Sequence, residues 1–92
     1  MKMSGTQTLT TVTVRYFAAA RAAAGTDCER LDVPAGSSIG NLLAMISDRH
    51  GGELATVLAR CSYLLDEVAV RDQDTGLTDG ATVDVLPPFA GG

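Results

Sequence analysis

The sequence has few of the residues that usually carry catalysis or bind nucleic acid. Among its 92 residues are one histidine, one lysine, two cysteines and no tryptophan. The single histidine, His50, has no cysteine or second histidine near it, so neither a metal-ligand set nor a nucleophile with its base is present. The six arginines are scattered and the net charge is −4, which leaves no concentrated basic face for phosphate contacts. We therefore expect no metal, no bound cofactor, no nucleic-acid partner and no internal active site.

Long apolar runs are also missing. No stretch approaches the roughly 20 apolar residues of a membrane span, and residues 1–8 lack the apolar run of a secretory signal. Cys28 and Cys61 form no Cys-x-x-Cys pair, which favours two reduced, structural thiols. These absences predict a cytoplasmic protein without a membrane partner. The acidic balance suits a partner with a basic docking face, and simple solubility explains it equally well.

What is present fits one small globular domain. The chain is 46% hydrophobic and 20% charged, and aromatic residues make up only 4% of it, so the core must be built from Val, Leu, Ile and Ala. We expect a loose leader over residues 1–7, a folded domain over 8–86 and an extended tail over 87–92.

Hydrophobic periodicity predicts strands at both ends of this domain and one main helix between them. Apolar and polar residues alternate in the first predicted strand, as in a half-buried strand, and a turn at Asp79-Gly80 leads into the last one. An alanine-rich helical segment follows the first strand and stops at Gly25. The predicted strands are 9–16, 28–33, 62–65, 68–71 and 82–86, with helices over 17–24, 39–50 and 53–60 and a hairpin turn at 66–67.

The main helix is marked by an apolar stripe and by signals at both ends. Its stripe recurs at helical spacing in Ile39, Leu42, Leu43 and Ile46. Ser37 or Ser38 can cap its start, and Gly51 and Gly52 end it, with His50 placed to interact favourably with the helix dipole. This order of elements predicts an α+β roll in which the helix packs across a mixed sheet, with the first and last strands side by side.

The chain closes with Leu86-Pro87-Pro88-Phe89-Ala90-Gly91-Gly92. Glycine lacks a Cβ, so a diglycine can enter a groove too narrow for other residues, and the prolines favour an extended stem. Six residues can span roughly 20 Å. Two terminal glycines arise by chance in roughly one chain in 200, so the ending alone is only suggestive of a reactive terminal carboxylate.

The ending and the opening strand together resemble a known family. Val12-Thr13-Val14-Arg15-Tyr16-Phe17-Ala18-Ala19-Ala20-Arg21, then Leu77-Thr78-Asp79-Gly80 before the last strand, and the Pro-Pro-Phe-Ala-Gly-Gly ending are similar to MoaD, the small subunit of molybdopterin synthase. The resemblance covers residues 9–92. ThiS, the thiazole-pathway carrier, shares the diglycine and usually lacks the paired proline. Membership implies the ubiquitin-like β-grasp fold.

The resemblance also implies a sulfur-carrying function without catalysis by this chain alone. A MoeB-like enzyme would use ATP to adenylate the Gly92 carboxylate, and a persulfide donor would convert it to a thiocarboxylate. The tail would then enter a MoaE-like large subunit and give its sulfur to the pyranopterin precursor of the molybdenum cofactor. In the family this assembly is a heterotetramer of two small and two large subunits.

Family positions that contact the partner map onto this sequence residue by residue. They imply an apolar docking patch near the tail, a matching arginine, and a tail that follows the large subunit's groove. Phe89 is larger than the aliphatic residue expected at its position, and the Asp66-Glu67 turn lacks the usual glycine. The implied partner-binding residues are Phe17, Arg21, Val70, Leu86, Pro87, Pro88, Phe89 and Ala90, with Gly91 and Gly92 as the reactive end.

Three other interpretations remain open. The chain could carry sulfur for thiamine or cysteine synthesis, act as a ubiquitin-like modifier of lysines, or be a binding module with an incidental diglycine. Val70 and Leu86 could equally be ordinary core residues of the sheet.

Overall fold

The first strand forms because threonine or arginine alternates with large apolar side chains. In the computed structural model, which describes residues 8–88, strand β1 runs over Leu9–Tyr16. Val12, Val14 and Tyr16 are at most 2% exposed. A strand's period of two places these three side chains on one face, which joins the core. The predicted strand 9–16 is confirmed.

The later elements follow the predicted order, with differences at their ends. β4 is two residues shorter than predicted, although the Val70 N–H still donates to the Tyr63 carbonyl at 2.9 Å. α3 ends before Arg60 because the amides of Arg60 and Cys61 donate to carbonyls three residues earlier, which tightens the last turn. The elements are α1 (Ala18–Ala24), β2 (Cys28–Pro34), α2 (Ile39–His50), α3 (Gly52–Leu58), β3 (Ser62–Leu65), β4 (Val68–Ala69) and β5 (Thr82–Leu86).

The five strands form one mixed sheet in the order β2-β1-β5-β3-β4. β1 and β5 are parallel in the middle, with Tyr16 opposite Val85, and the other pairs are antiparallel. The first and last strands thus lie side by side, as predicted. A mixed sheet crossed by one main helix is the α+β, β-grasp arrangement predicted from the sequence.

The main helix is held by its cap and by its apolar stripe. Ser38, the second of the two predicted caps, accepts a hydrogen bond from the Asn41 N–H at 3.1 Å, and the Asn41 side chain accepts one from the Ser38 N–H at 2.9 Å. The predicted stripe is buried: Ile39, Leu42 and Ile46 are fully buried and Leu43 is 8% exposed. These side chains belong to the same buried cluster as the inward side chains of β1 and β5.

A connection between β4 and β5 closes the start of this helix. The N–H groups of Ile39 and Gly40 donate to the carbonyls of Thr75 and Gln73, both at 2.9 Å. With the Asn41 N–H on Ser38 and the Ser38 N–H on Asn41, all four N–H groups at the helix start have protein partners. The helix N-terminus is therefore closed to a phosphate or another anion.

The β3–β4 turn has a backbone that favours glycine. Asp66 and Glu67 have φ of 48° and 71°, as both central residues of a tight hairpin turn require. Asp tolerates this region better than Glu does. We expect Glu67→Gly to raise the free energy of unfolding by about 0.5–1 kcal/mol through relief of this strain. Glu67→Ala, which removes the same carboxylate without relieving φ, is the control. A urea titration in which the glycine variant is no more stable than the alanine variant would contradict the expectation.

Candidate functional site

The candidate site lies on the face of the sheet opposite the helices. The helices pack on the face that carries Val12, Val83 and Val85. Since side chains alternate along each strand, Arg15, Asp84 and Leu64 point to the other face. Within residues 8–88 no helix covers this second face. We call it the open face.

An ion pair stands at the centre of the open face. Arg15 lies directly opposite Asp84 in the parallel β1–β5 pairing. Its Nε and Nη2 donate to Asp84 Oδ1 and Oδ2 at 2.6 and 2.8 Å, and the Asp84 side chain is only 7% exposed. The hydrogen bond with Asp84 and its negative charge raise the pKa of Arg15, so the guanidinium stays charged. Two-point contacts of this kind fix both strands in register.

An aromatic ring lies beside this pair. Phe17 is 39% exposed, and the Arg15 guanidinium carbon lies 5.9 Å from its ring centre. Ala18, the next residue, has a φ of 50°, a left-handed conformation uncommon for alanine. This turn directs the chain from β1 into α1 directly after Phe17. The ring is therefore presented at the end of the open face and does not join the core.

A shallow groove runs from the ion pair to the β3–β4 turn. It has a volume of about 300 Å³ and is lined by Arg15, Asp66, Glu67, Thr82 and Asp84. Three carboxylates share the groove with one guanidinium, so its charge is negative. Asp66 Oδ1 also accepts a hydrogen bond from the Thr82 N–H at 2.9 Å, which holds the turn against β5. The groove suits a positively charged side chain of a partner.

The predicted docking residues fall in two places. Leu86, half-buried at the end of β5, lies opposite Ser62 on the open face, and Phe17 lies at the same end of the sheet. Val70 packs against the core, which was the other interpretation of this residue. Arg21 lies on α1, with its Nη1 3.7 Å from Asp27 Oδ1. Pro87 is half-buried and Pro88 exposed. Phe89, Ala90, Gly91 and Gly92, and the leader 1–7, lie outside the described residues.

The ion pair and the groove were not predicted from the sequence. Arg15 and Asp84 are 69 residues apart, so no local pattern connects them. The available signal was opposite charge at outward positions of two strands predicted to be neighbours. The groove depends in addition on where the Asp66-Glu67 turn folds, which follows only from the β3–β5 register.

His50 belongs to a cluster on the helix-covered side that the sequence did not reveal. Its Nε2 lies 2.6 Å from Glu29 Oε2, the same oxygen that accepts a hydrogen bond from the Tyr16 hydroxyl at 2.5 Å. Arg49 Nε lies 3.1 Å from Glu29 Oε1. Burial alone would raise the pKa of Glu29, but the hydrogen bonds from Tyr16 and His50 and the neighbouring positive charges together lower it. His50 is at the helix end as predicted, and its main contact is this carboxylate.

The two thiols have different surroundings. Cys61 is half-buried, its Sγ donates to the Val57 carbonyl at 3.3 Å, and burial raises its pKa, all of which suit an unreactive structural thiol. Cys28 is exposed on β2. Neither is part of a group of three or more potential metal ligands anywhere in residues 8–88. The helices of this stretch are also too short or too polar to span a bilayer.

Comparison with known proteins gives both sequence and structural relatives. The ThiS family matches residues 14–92. A molybdopterin synthase sulfur carrier subunit from Chlamydomonas reinhardtii is 35% identical over 82 residues, covering 88% of this chain and 98% of the relative.

Solved structures extend the likeness to the fold. A putative molybdopterin converting factor subunit 1 from Pyrococcus furiosus superposes with a TM-score of 0.77 at 30% identity, over 87% of this chain and 99% of the other. A chain in the complex of molybdopterin-converting factor subunits 1 and 2 from Helicobacter pylori superposes with a TM-score of 0.64 at 26% identity, over 89% and 99% of the two chains.

Proposed function

The chain belongs to the ThiS family, and from this membership we propose that it is the sulfur carrier subunit of a molybdopterin synthase. The observation that carries the proposal is the match to a sulfur carrier subunit over nearly the whole length of both chains. The resemblance to the MoaD and ThiS superfamily found in the sequence is confirmed. Location in the cytoplasm stays a prediction.

The proposed reaction uses the Gly92 carboxylate, which is a poor electrophile because its oxygen anion is a bad leaving group. A MoeB-like enzyme transfers AMP from ATP to this carboxylate and releases pyrophosphate. The terminal sulfur of a persulfide then attacks the carbonyl carbon and displaces AMP. A thiol cleaves the resulting S–S bond and frees the thiocarboxylate. In this proposal ATP is bound and consumed by the activating enzyme.

The described residues support the proposal by the way they hold the base of the tail. β5 is the strand that leads into Pro87, and it is paired on both sides, by β1 and by β3. The Arg15–Asp84 ion pair adds a side-chain contact two residues before Leu86. A fixed base and a short stem deliver the carboxylate to a reproducible position, which raises its effective concentration in a partner's active site.

We further propose that the partner, a MoaE-like large subunit in a heterotetramer, docks on the open face. Phe17 and Leu86 would supply the apolar contact next to the tail. The acidic groove would receive a lysine or arginine of the partner, in keeping with the net charge of −4. Partner residues, and not residues of this chain, would then stabilise the charge that develops during sulfur transfer.

The decisive experiment is to incubate the protein with a MoeB-like enzyme, ATP and a persulfide donor, and to measure its intact mass. Conversion of the terminal OH to SH adds the mass difference between sulfur and oxygen. Sulfur transfer to the pyranopterin precursor with a MoaE-like subunit then separates molybdopterin synthesis from the thiamine and cysteine pathways. Branched adducts on other proteins would favour the modifier interpretation, and no mass change with any activator would overturn every carrier interpretation.

Replacing the exposed ring tests the docking surface. We expect Phe17→Asp to weaken binding to the large subunit by about tenfold or more, because it buries an unpaired charge in an apolar contact. Val68→Asp is the matched control: Val68 is 68% exposed, more than Phe17, but lies on the edge strand β4. Isothermal titration calorimetry should show a loss for Phe17→Asp alone. Equal affinities of the two variants would place the docking surface elsewhere.

A further inference from the structure

Strand β2 forms one edge of the sheet, and its outer side presents backbone groups. The Tyr16 N–H donates to the Asp27 carbonyl, so in the antiparallel β1–β2 pairing Glu29, Leu31 and Val33 also turn their backbone groups toward β1. The alternate residues of β2, Arg30 and Asp32 among them, turn theirs outward. Within residues 8–88 no strand pairs with this outer side.

The outer side is closed at both ends. The Cys28 carbonyl accepts a hydrogen bond from the Thr26 hydroxyl at 3.0 Å. The Pro34 carbonyl accepts bonds from the Ser37 N–H and hydroxyl at 3.0 and 2.5 Å, and proline has no N–H to donate. Between these ends, Arg30 and Asp32 each keep a donor and an acceptor directed outward. The edge can therefore pair with one more short strand. Arg30 and Asp32 are the two residues that can form a complete pair of backbone hydrogen bonds with it.

The side chains of these two residues select what can pair there. Both are exposed, and they stand on either side of Leu31 on the open-face side of β2. In an antiparallel pair of two β2 strands, the register centred on Leu31 sets Arg30 opposite the Asp32 of the second copy. By symmetry, Asp32 then lies opposite the Arg30 of the second copy. Shifting the centre to Arg30 or to Asp32 puts like charges directly opposite each other, which is unfavourable.

We propose that the β2 edges of two copies of this chain pair antiparallel around Leu31 and form a dimer with a continuous ten-stranded sheet. Arg30 and Asp32 of each copy exchange both backbone hydrogen bonds with Asp32 and Arg30 of the other, giving four hydrogen bonds and two cross-strand ion pairs. The contact is self-complementary, as two-fold symmetry requires. Since β1 separates β2 from β5, the dimer leaves Phe17 and Leu86 accessible.

The small size of this contact predicts a weak dimer. Arg30 and Asp32 alone form complete pairs, against roughly 20–30 residues a side in a standard interface, so we expect association only in the range of about 0.1 to 1 mM. Sedimentation velocity at low salt, at protein concentrations from about 10 µM to 1 mM, should show the monomer converting to the dimer. Amide exchange at Arg30 and Asp32 should slow as the concentration rises, whereas a dimer formed elsewhere would leave these two amides unchanged.

Charge exchange gives the sharper test. Arg30→Asp and Asp32→Arg each place like charges opposite one another and should raise the dimer dissociation constant by about tenfold. The double variant, Arg30→Asp with Asp32→Arg, restores opposite charges in the same register and should return it close to the wild-type value. Arg60→Asp, an exposed arginine beyond α3, is the control for net charge. Circular dichroism confirms that each variant is folded.

Two results would overturn the proposal. One is a chain that stays monomeric at about 1 mM, which leaves the edge to water or to a strand of another protein. The other is a dimer whose dissociation constant depends on net charge alone. In that case Arg60→Asp would change the constant as much as Arg30→Asp does, and the double variant would not return it to the wild-type value.

Discussion

Deleting Gly92 is expected to abolish thiocarboxylate formation and to leave thermal unfolding unchanged. The new terminus would carry a carboxylate one residue short, and catalytic geometry tolerates displacements of well under the length of a residue. We expect the loss of sulfur loading to reach at least about a hundredfold. Within residues 8–88 the apolar core runs from Val12 to Val85 and the last strand ends at Leu86, so the deletion leaves every residue of these elements in place.

The control for this deletion is a glycine elsewhere in the chain. A Cβ added at Gly52 meets no atom within 4 Å, so Gly52→Ala should fold and load sulfur like the wild type. Intact-mass measurement follows loading, and a circular-dichroism melt follows stability. If the shortened chain gains sulfur as fast as the wild type, the Gly92 carboxylate is not the carrier group. A fall in melting temperature on deletion would instead give the terminus a structural role.

Glu29→Gln is expected to lower the free energy of unfolding by about 2 kcal/mol, or roughly 10 °C in melting temperature. Glu29 is 13% exposed in its side chain and joins β2 to β1 through Tyr16 and to α2 through His50 and Arg49. The amide keeps the shape but loses the charge, so the hydrogen bonds that end on a carboxylate become weaker or are lost. Thermal and urea denaturation at pH 7 measure the change.

The same substitution predicts a pH dependence. The pKa of Glu29 is lower in the folded chain than in the unfolded chain, so the unfolded chain binds more protons in the acidic range. The stabilisation is complete above the unfolded pKa of about 4.3 and is lost as the pH falls through the lower folded value. The difference between wild type and Glu29→Gln should therefore shrink below about pH 4.3.

Glu53→Gln serves as the control for both experiments on Glu29. Glu53 is exposed in the first turn of α3, and its loss should change stability by no more than about 0.5 kcal/mol at any pH. If the two glutamine variants behave alike, the cluster around Glu29 contributes nothing beyond an ordinary surface carboxylate.

The elements themselves could be predicted because their signals are local. The alternation in β1, the apolar stripe of α2 and the glycine after α1 each occupy a few adjacent residues, and each specifies its element. For the cap of α2, the sequence left only the choice between Ser37 and Ser38. The predicted ends of α3 and β4 were less accurate, because both ends depend on hydrogen bonds formed after the chain has folded.

The site was less predictable, because its chemistry joins distant residues. The pairing of Glu29 with His50 requires the β1–β2 register and the position of the α2 end at once. Val70 was ambiguous for a different reason, because an apolar residue on a strand suits the core and a docking patch equally. Its backbone pairing with Tyr63 places it against the core. Phe17 is presented outward by the left-handed Ala18, which no propensity scale predicts.

The parallel pairing of β1 with β5 also constrains how the chain is made. β1 is synthesised first, yet its central partner consists of Thr82–Leu86, and the Arg15–Asp84 contact spans 69 residues. Because so many pairings are distant in sequence, folding is slow relative to a helical protein of this size. On the ribosome, the sheet cannot close until β5 has left the exit tunnel. A product truncated before Thr82 lacks both the central strand and the diglycine, so it can neither complete the sheet nor present the terminus that is proposed to carry sulfur.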